Sequence, residues 1–291
     1  GVRLVGSEMC IRDRYRKDKI QMKADYKNWV PKYMVNGLIA GTIVFAVLFV
    51  IFGVIGLGLS GVLRWIIFAA LLIALIGIGM FLKWSVMAYK AFSYDGTRQL
   101  SKQIIEGTAN YINIPNGGKC LDVGCGSGAL TIACAKRNPK AEIVGLDRWG
   151  KEYSNFSNML CCKNAKAEGV SNVKFVKGDA CKLDFTDETF DAVTSNYVYH
   201  NITGVDKQEL LLETLRVLKK GGTFAIHDLM SKARYGDMEK FKQKLLDMGY
   251  EKVELIDTAN GMFMTKKEAK YLQLCGSTSV SYTHLRAHET D

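Results

Sequence analysis

The sequence predicts an α/β domain, a mostly parallel sheet covered by helices, preceded by a two-helix transmembrane hairpin. Three observations predict it. From residue 97 onward strand-like and helix-like stretches alternate, the order that builds a parallel sheet between helical layers. Before that, residues 33–63 and 65–82 carry no charge, and a spanning helix needs about 20 apolar residues. Within the alternating part, CLDVGCGSGAL (120–130) ends an apolar run in an acid and then places Gly124, Gly126 and Gly128 in five positions. Glycines so spaced form a loop that lets backbone approach a ligand closely.

Both ends of the chain read as foreign. RLVGSEMCIRDR (3–14) and VSYTHLRAHET (280–290) can be encoded as opposite strands of one DNA. That relationship resembles a transposase-type sequencing adapter flanking a fragment. Residues 1–14 and 279–291 are therefore expected to be tails outside the fold. The remaining roughly 264 residues suit one ordinary domain plus something extra.

The extra part is residues 15–92, a basic segment and two membrane helices at about 35–59 and 65–82. The connection SGVLR is short enough to make them an antiparallel pair. Arg16, Lys17, Lys19, Lys23, Lys27 and Lys32 precede the first helix, and Lys83, Lys90, Arg98 and Lys102 follow the second. Only Arg64 lies between, so the positive-inside rule puts the amino end and the large domain on the cytoplasmic side. Trp29, Tyr33, Trp65 and Trp84 stand near the helix ends, where aromatic belts belong. Gly37 and Gly41 are read as small residues in the hairpin contact. The formal charge is +10, and the basic segment suits an anionic bilayer. No aromatic or repeated pattern accompanies it, so no nucleic-acid partner is expected. Eight cysteines are present, Cys10 in the first tail; the other seven include no CxxC pair. Reduced thiols and no metal site are expected.

The domain proper is placed at 93–278. TRQLSKQIIEGTANYI reads as a helix, KCLDV as the first strand and ALTIACAKRN as the helix after the glycine loop. AEIVGLD, NVKFVKGD and FDAVTSNYV read as the next three strands, with KEYSNFSNMLCCKNAKAEG as a helix between the first two. KQELLLETLRVLKK reads as a helix stopped at Gly221 and Gly222, before strand TFAIHD. DMEKFKQKLLDMGY reads as the last helix. KVELIDT and GMFMTKK, joined by Ala259, Asn260 and Gly261, read as a closing hairpin that adds one antiparallel strand at or near an edge. Ligands of such sheets bind beyond the carboxyl ends of the strands.

Gly124, Gly126 and Ala129 satisfy a dinucleotide pattern, but the acids favour S-adenosylmethionine. Asp122, two residues before the first glycine, can answer an ammonium and would repel a pyrophosphate. Asp147 ends the next strand, where a carboxylate accepts both ribose hydroxyls, a feature that dehydrogenases share and that separates nothing by itself. Asp179, beside Ala180, follows the third strand and can accept from an adenine amino group. LDVGCGSG, GLD, KGDA, FDAVTSN and LRVLKKGGTF, in this order, resemble the class I S-adenosylmethionine-dependent methyltransferases over residues 100–267. The resemblance implies their Rossmann-like, seven-stranded fold. It implies that Asp122, Gly124, Gly126 and Gly128 hold the methionine side of the cofactor, Asp147 the ribose, and Asp179 and Ala180 the adenine. It places Asn196 beside the reacting methyl group.

Methyl transfer from a sulfonium needs alignment above all, and a base only where the acceptor must lose a proton. His200, in SNYVYHNI, is the candidate base and His227 the second; Tyr197 and Tyr199 line the acceptor pocket or pack. Ser195, Asn196, Tyr197 and Val198 stand where exocyclic-amine methylases carry Asn/Asp-Pro-Pro-aromatic, and no Pro-Cys occurs. A small-molecule or lipidic acceptor is expected. The alternatives are a cofactor-binding membrane sensor or assembly protein, and a dinucleotide-dependent oxidoreductase.

Overall fold

The computed structural model describes residues 23–150 and 155–284. The tail placed at 1–14, the cations Arg16, Lys17 and Lys19, the start of the helix predicted from 151, and the last residues of the second tail lie outside the described residues. The chain divides into two units, residues 27–102 and the remainder.

The smaller unit holds α1 (Lys32–Leu48), continued by a π-helical stretch (Phe49–Ile55), and α2 (Gly61–Phe92). The first helix ends where Gly56 takes a left-handed φ of 74°, a stop that glycine adopts without a Cβ penalty. Arg64, the one cation of the connection, donates to Val54 O at 2.7 Å. It thereby satisfies a carbonyl left open at the helix end. Lys32–Ile55 and Gly61–Phe92 are long and apolar enough to cross a membrane. Their apolar side chains are largely not buried within the chain: Ile43 is 60% and Ile73 70% exposed. Two expectations change here. α2 runs ten residues beyond Leu82, to Phe92. A Cβ on Gly37 or Gly41 would meet nothing within 4 Å, so these glycines do not mark the hairpin contact; Gly53, against Phe68, does.

The larger unit takes in α3 from Gln103 on (α3, Leu100–Ala109), then β1 (Lys119–Val123), α4 (Ala129–Arg137), β2 (Glu142–Asp147), α5 (Asn158–Ala167) and β3 (Val173–Lys177). β4 (Phe190–Asn196), a 3-10 turn (Tyr199–Asn201), α6 (Lys207–Arg216) and β5 (Leu218–Leu229) follow. Then come α7 (Lys232–Tyr235), α8 (Met238–Asp247), β6 (Tyr250–Asp257), α9 (Lys266–Tyr271) and β7 (Ser277–His284). The seven strands lie in the order β3-β2-β1-β4-β5-β7-β6. β7 pairs antiparallel with both neighbours, while the β1, β2, β3, β4 and β5 pairings are parallel. This is the Rossmann-like fold expected. The strand order reverses between β1 and β4, and the carboxyl ends of both open onto one crevice, the usual ligand position in such sheets. Beneath it Leu121, Val193, Phe224, Leu211 and Leu215 are buried in one core.

Three element assignments are corrected. Val217 ends α6 and β5 starts at Leu218; the glycines expected to stop the helix sit inside the strand. Phe190 pairs with Leu218 but Ala192 with Thr223, so residues 219–222 bulge from the ladder. The bulge needs the left-handed φ of 76° at Gly221. GMFMTKK forms no strand: Asn260 and Gly261 lie in a turn leading to α9. The antiparallel strand is β7, Ser277–His284, which overlaps the residues expected to lie outside the fold. The edges of β5 and β6 would otherwise be left unpaired, and Val280 fills the gap between them, fully buried. At the other end, the described residues 23–26 group with the larger unit rather than with the helices.

Candidate functional site at the carboxyl edge of the sheet

Strand register brings the predicted acids to one edge. Asp122 lies beside Gly145 and Thr194 on the strands flanking β1, and Asp147 closes β2 opposite Lys177. Asp122 is buried, and its Oδ2 accepts the Thr131 hydroxyl at 2.6 Å. The space for that approach comes from Gly145, where a Cβ would stand 2.8 Å from Thr131 Oγ1. Burial pushes the Asp122 carboxyl up to about 7, against the lowering pull of the Thr131 hydrogen bonds and with Asp147 adding to the rise. A neighbouring cation favours the ionised form of such a group.

Gly124, Gly126 and Gly128 all have positive φ, at 75°, 55° and 81°. Gly124 N–H donates to Leu146 O at 2.7 Å, and a Cβ there would lie 2.3 Å from the Val198 side chain. A Cβ on Gly128 would stand 3.1 Å from the Phe175 ring, whereas one on Gly126 faces open space. Two of the glycines thus serve packing, and the middle one lines open space. Asp147 shapes that middle: its Oδ2 accepts Gly126 N–H at 2.8 Å and its Oδ1 accepts Trp149 N–H at 2.7 Å. A carboxylate has about four acceptor positions, so each oxygen keeps capacity for a further donor. Asp179 is exposed, with its Oδ1 accepting Cys181 N–H at 2.8 Å, and Ala180 packs half-buried against the core. Among the described residues Asp179 makes no hydrogen bond to the glycine loop.

Across the crevice the chain turns sharply after β4. Tyr197 has a φ of 54°, a region that bulky residues rarely occupy. Its N–H donates to His227 O at 2.8 Å and its hydroxyl bonds Ser277 Oγ at 2.8 Å. The turn sets His200 beside Asp228: Nδ1 to Oδ1 is 2.5 Å. Asp228 also accepts from Tyr199 N–H, Leu229 N–H and the Tyr235 hydroxyl at 2.8, 2.7 and 2.8 Å. Burial alone would raise its carboxyl, but hydrogen bonds and charge from His200, with the other donors, hold it below the usual carboxylate range. The His200 side chain remains 16% exposed, and its Nε2 makes no hydrogen bond among the described residues. Sequence reasoning missed Asp228; the only signal was an acid following His227 at a strand end.

His227 does not suit a base. It is fully buried, Nδ1 bonds Asn196 Oδ1 at 3.1 Å and Nε2 bonds Thr258 Oγ1 at 2.8 Å. Burial lowers its pKa to about 4, partly opposed by Asp228. The histidine thereby fixes Asn196 at the end of β4. Tyr199 is buried against the core, with its hydroxyl bonded to Thr214. The seven described cysteines are free, and among the described residues no group of three or more His, Cys, Asp or Glu side chains suits a metal.

Open space at Gly126, spare acceptor capacity on Asp147 and a buried Asp122 fit a ligand that brings hydroxyl donors and a positive charge. Known proteins agree at the level of family. The sequence model of a family described as "Methyltransferase domain" matches residues 114–274. Demethylmenaquinone methyltransferase of Bacillus licheniformis is 39% identical over 116 residues, 40% of this chain and 46% of that protein. The Staphylococcus carnosus protein of the same name is 41% identical over 112 residues, 38% of this chain and 43% of that protein. The match therefore spans under half the length of either relative. Among solved structures, the cyclase SpnF superposes with a TM-score of 0.50 at 18% identity, over 66% of this chain and 85% of that one. That likeness bears on the fold alone.

Proposed function

The chain belongs to the methyltransferase-domain family, and from that membership we propose that it is an S-adenosylmethionine-dependent enzyme that methylates a hydroxylated aromatic lipid of the quinol type from the bilayer surface. The observation that carries this reading is the His200–Asp228 pair at the acceptor side of the crevice. An acceptor atom that carries no hydrogen needs no base, whereas a phenol-like hydroxyl must lose its proton as the methyl group is added. The relatives named for a quinone acceptor support the same chemistry.

In this reading Asp122 faces the amino-acid end of the cofactor, Gly126 gives its backbone room, Asp147 receives the ribose hydroxyls, and Asp179 with Ala180 borders the adenine. When bound, S-adenosylmethionine supplies a methyl carbon made electrophilic by a positively charged sulfur. Asn196, held by His227, fixes the wall next to the acceptor. Asp228 keeps the His200 ring oriented through Nδ1, which leaves Nε2 to take the acceptor's proton. Holding donor and acceptor in line accounts for most of the acceleration.

The two apolar helices support anchoring, and the distribution of Lys and Arg favours an orientation with the amino end and catalytic domain cytoplasmic. An anchored enzyme meets lipidic acceptors without releasing them into water. The adapter reading of residues 1–14 and of the carboxyl end stays part of this proposal. Lipid profiling of membranes carrying the chain, supplied with isotopically labelled methyl donor, tests the reading. Label in a quinol-type lipid, lost in His200→Gln, is expected; label confined to water-soluble products would refute the lipid acceptor.

A further inference from the structure

Asn164 of α5 is 2% exposed, and every polar atom of its amide is engaged. Oδ1 accepts Asp25 N–H at 2.8 Å, and Nδ2 donates to Asp25 O at 3.0 Å and to Ser127 O at 2.9 Å. One buried side chain therefore grips the backbone of residue 25 from both sides and, with its remaining hydrogen, the glycine loop. The grip is reinforced one residue on. Tyr26 is 7% exposed, and its hydroxyl donates to Glu168 at 3.0 Å. Glu168, which ends α5, also pairs with Lys136 of α4, the helix that the glycine loop opens. These contacts cross about 140 residues of sequence and close a loop of chain, an ordering cost that native contacts must offset.

We propose that Asn164 makes residues 23–26, just before the first apolar helix, a working part of the donor site. This rests on the reading of Gly124–Ser127 as the loop that holds the cofactor. Ser127 O is fixed by Asn164 while Gly126 N–H is fixed by Asp147, so the loop is held from both of its sides. Releasing the strap at Asp25 exposes the Asn164 amide to water and removes two of its three hydrogen bonds. The remaining bond to Ser127 then has nothing to orient it, and the loop loses preorganisation for its ligand. Asn164 acts here as a positioning residue. It transmits to the donor loop the state of the segment from which the membrane helices depart.

The test uses the full chain in detergent micelles or nanodiscs, with S-adenosylhomocysteine as the probe in calorimetry. Tyr26→Ala loosens the strap without touching Asn164 or the loop. It is expected to weaken binding about tenfold, within the range of coupling between residues of one network. Tyr26→Ala combined with Asn164→Ala is expected to bind no more weakly than Asn164→Ala alone. Hydrogen exchange is expected to quicken at the amides of residues 125–127 in Tyr26→Ala and to stay unchanged in β5, which general destabilisation would not do. Parent affinity in Tyr26→Ala, or losses that simply add in the double variant, would overturn the proposal. Gly126→Arg separates the two readings: it is expected to abolish binding, and parent affinity in that variant would remove the loop assignment itself.

Discussion

Nδ1 of His200 lies 2.5 Å from Oδ1 of Asp228, a carboxylate with no exposed surface that also accepts two 2.7–2.8 Å backbone N–H bonds. So many donors around one buried carboxylate fix it in place, and with it the imidazole. The pair follows the logic of a base oriented by an acid. It joins the turn after β4 to the end of β5, two segments brought together only by strand pairing.

Asp228→Asn keeps the shape of the side chain and removes its charge. A turnover number lower by about 100-fold is expected, at the lower end of general-base contributions, with KM for the methyl donor within about twofold of the parent. Steady-state kinetics checks both. His200→Gln is expected to give the same pattern, and Asp228→Asn added to it little further loss, because the two act as one unit.

Asp147→Ala is expected to leave the fold intact and to lose cofactor affinity. The carboxylate holds Gly126 and Trp149 N–H groups besides its proposed ribose partners. Loss of charged hydrogen bonds of this kind costs about 1.5–3 kcal/mol each, or roughly 10- to 100-fold in affinity. Circular dichroism and thermal stabilisation by S-adenosylhomocysteine separate folding from binding.

Two buried groups give opposite pH dependences. Asp122 is raised from 3.8 to about 7, so the folded state holds its proton more tightly than the unfolded chain. Its contribution to stability is full below about 4 and is lost as pH rises through about 7. His227 is lowered from 6.5 to about 4, so its contribution is full above about 6.5 and is lost as pH falls through about 4. Between those limits the two slopes oppose each other. Asp122→Asn is expected to gain stability more steeply than the parent as pH rises from about 4 to about 6.5, and His227→Gln less steeply. Urea denaturation across that range checks it; profiles parallel to the parent's would show that neither group is perturbed in this way.

Much of the donor half was legible in the sequence because it depends on local order. An apolar run, an acid and spaced glycines fix a strand, its end and a turn, and β1 formed at Lys119–Val123 as read. The two apolar helices were legible for the same reason. The closing strands were not. Asn260 and Gly261 look like a hairpin turn, but the strand that pairs with β6 is Ser277–His284, reached through α9. Local turn chemistry cannot show which distant segment fills a sheet edge. Asp228 and Asn164 were hidden for a related reason. Each gets its role from partners 28 and 139 residues away, and neither stands in a local pattern.

Calorimetry of the full chain with S-adenosylhomocysteine and, separately, with NAD tests the central claim most directly. Saturable binding of the nucleoside that is lost in Asp147→Ala, with no heat from the dinucleotide, is the predicted result. Saturation by NAD with no response to S-adenosylhomocysteine would contradict the account.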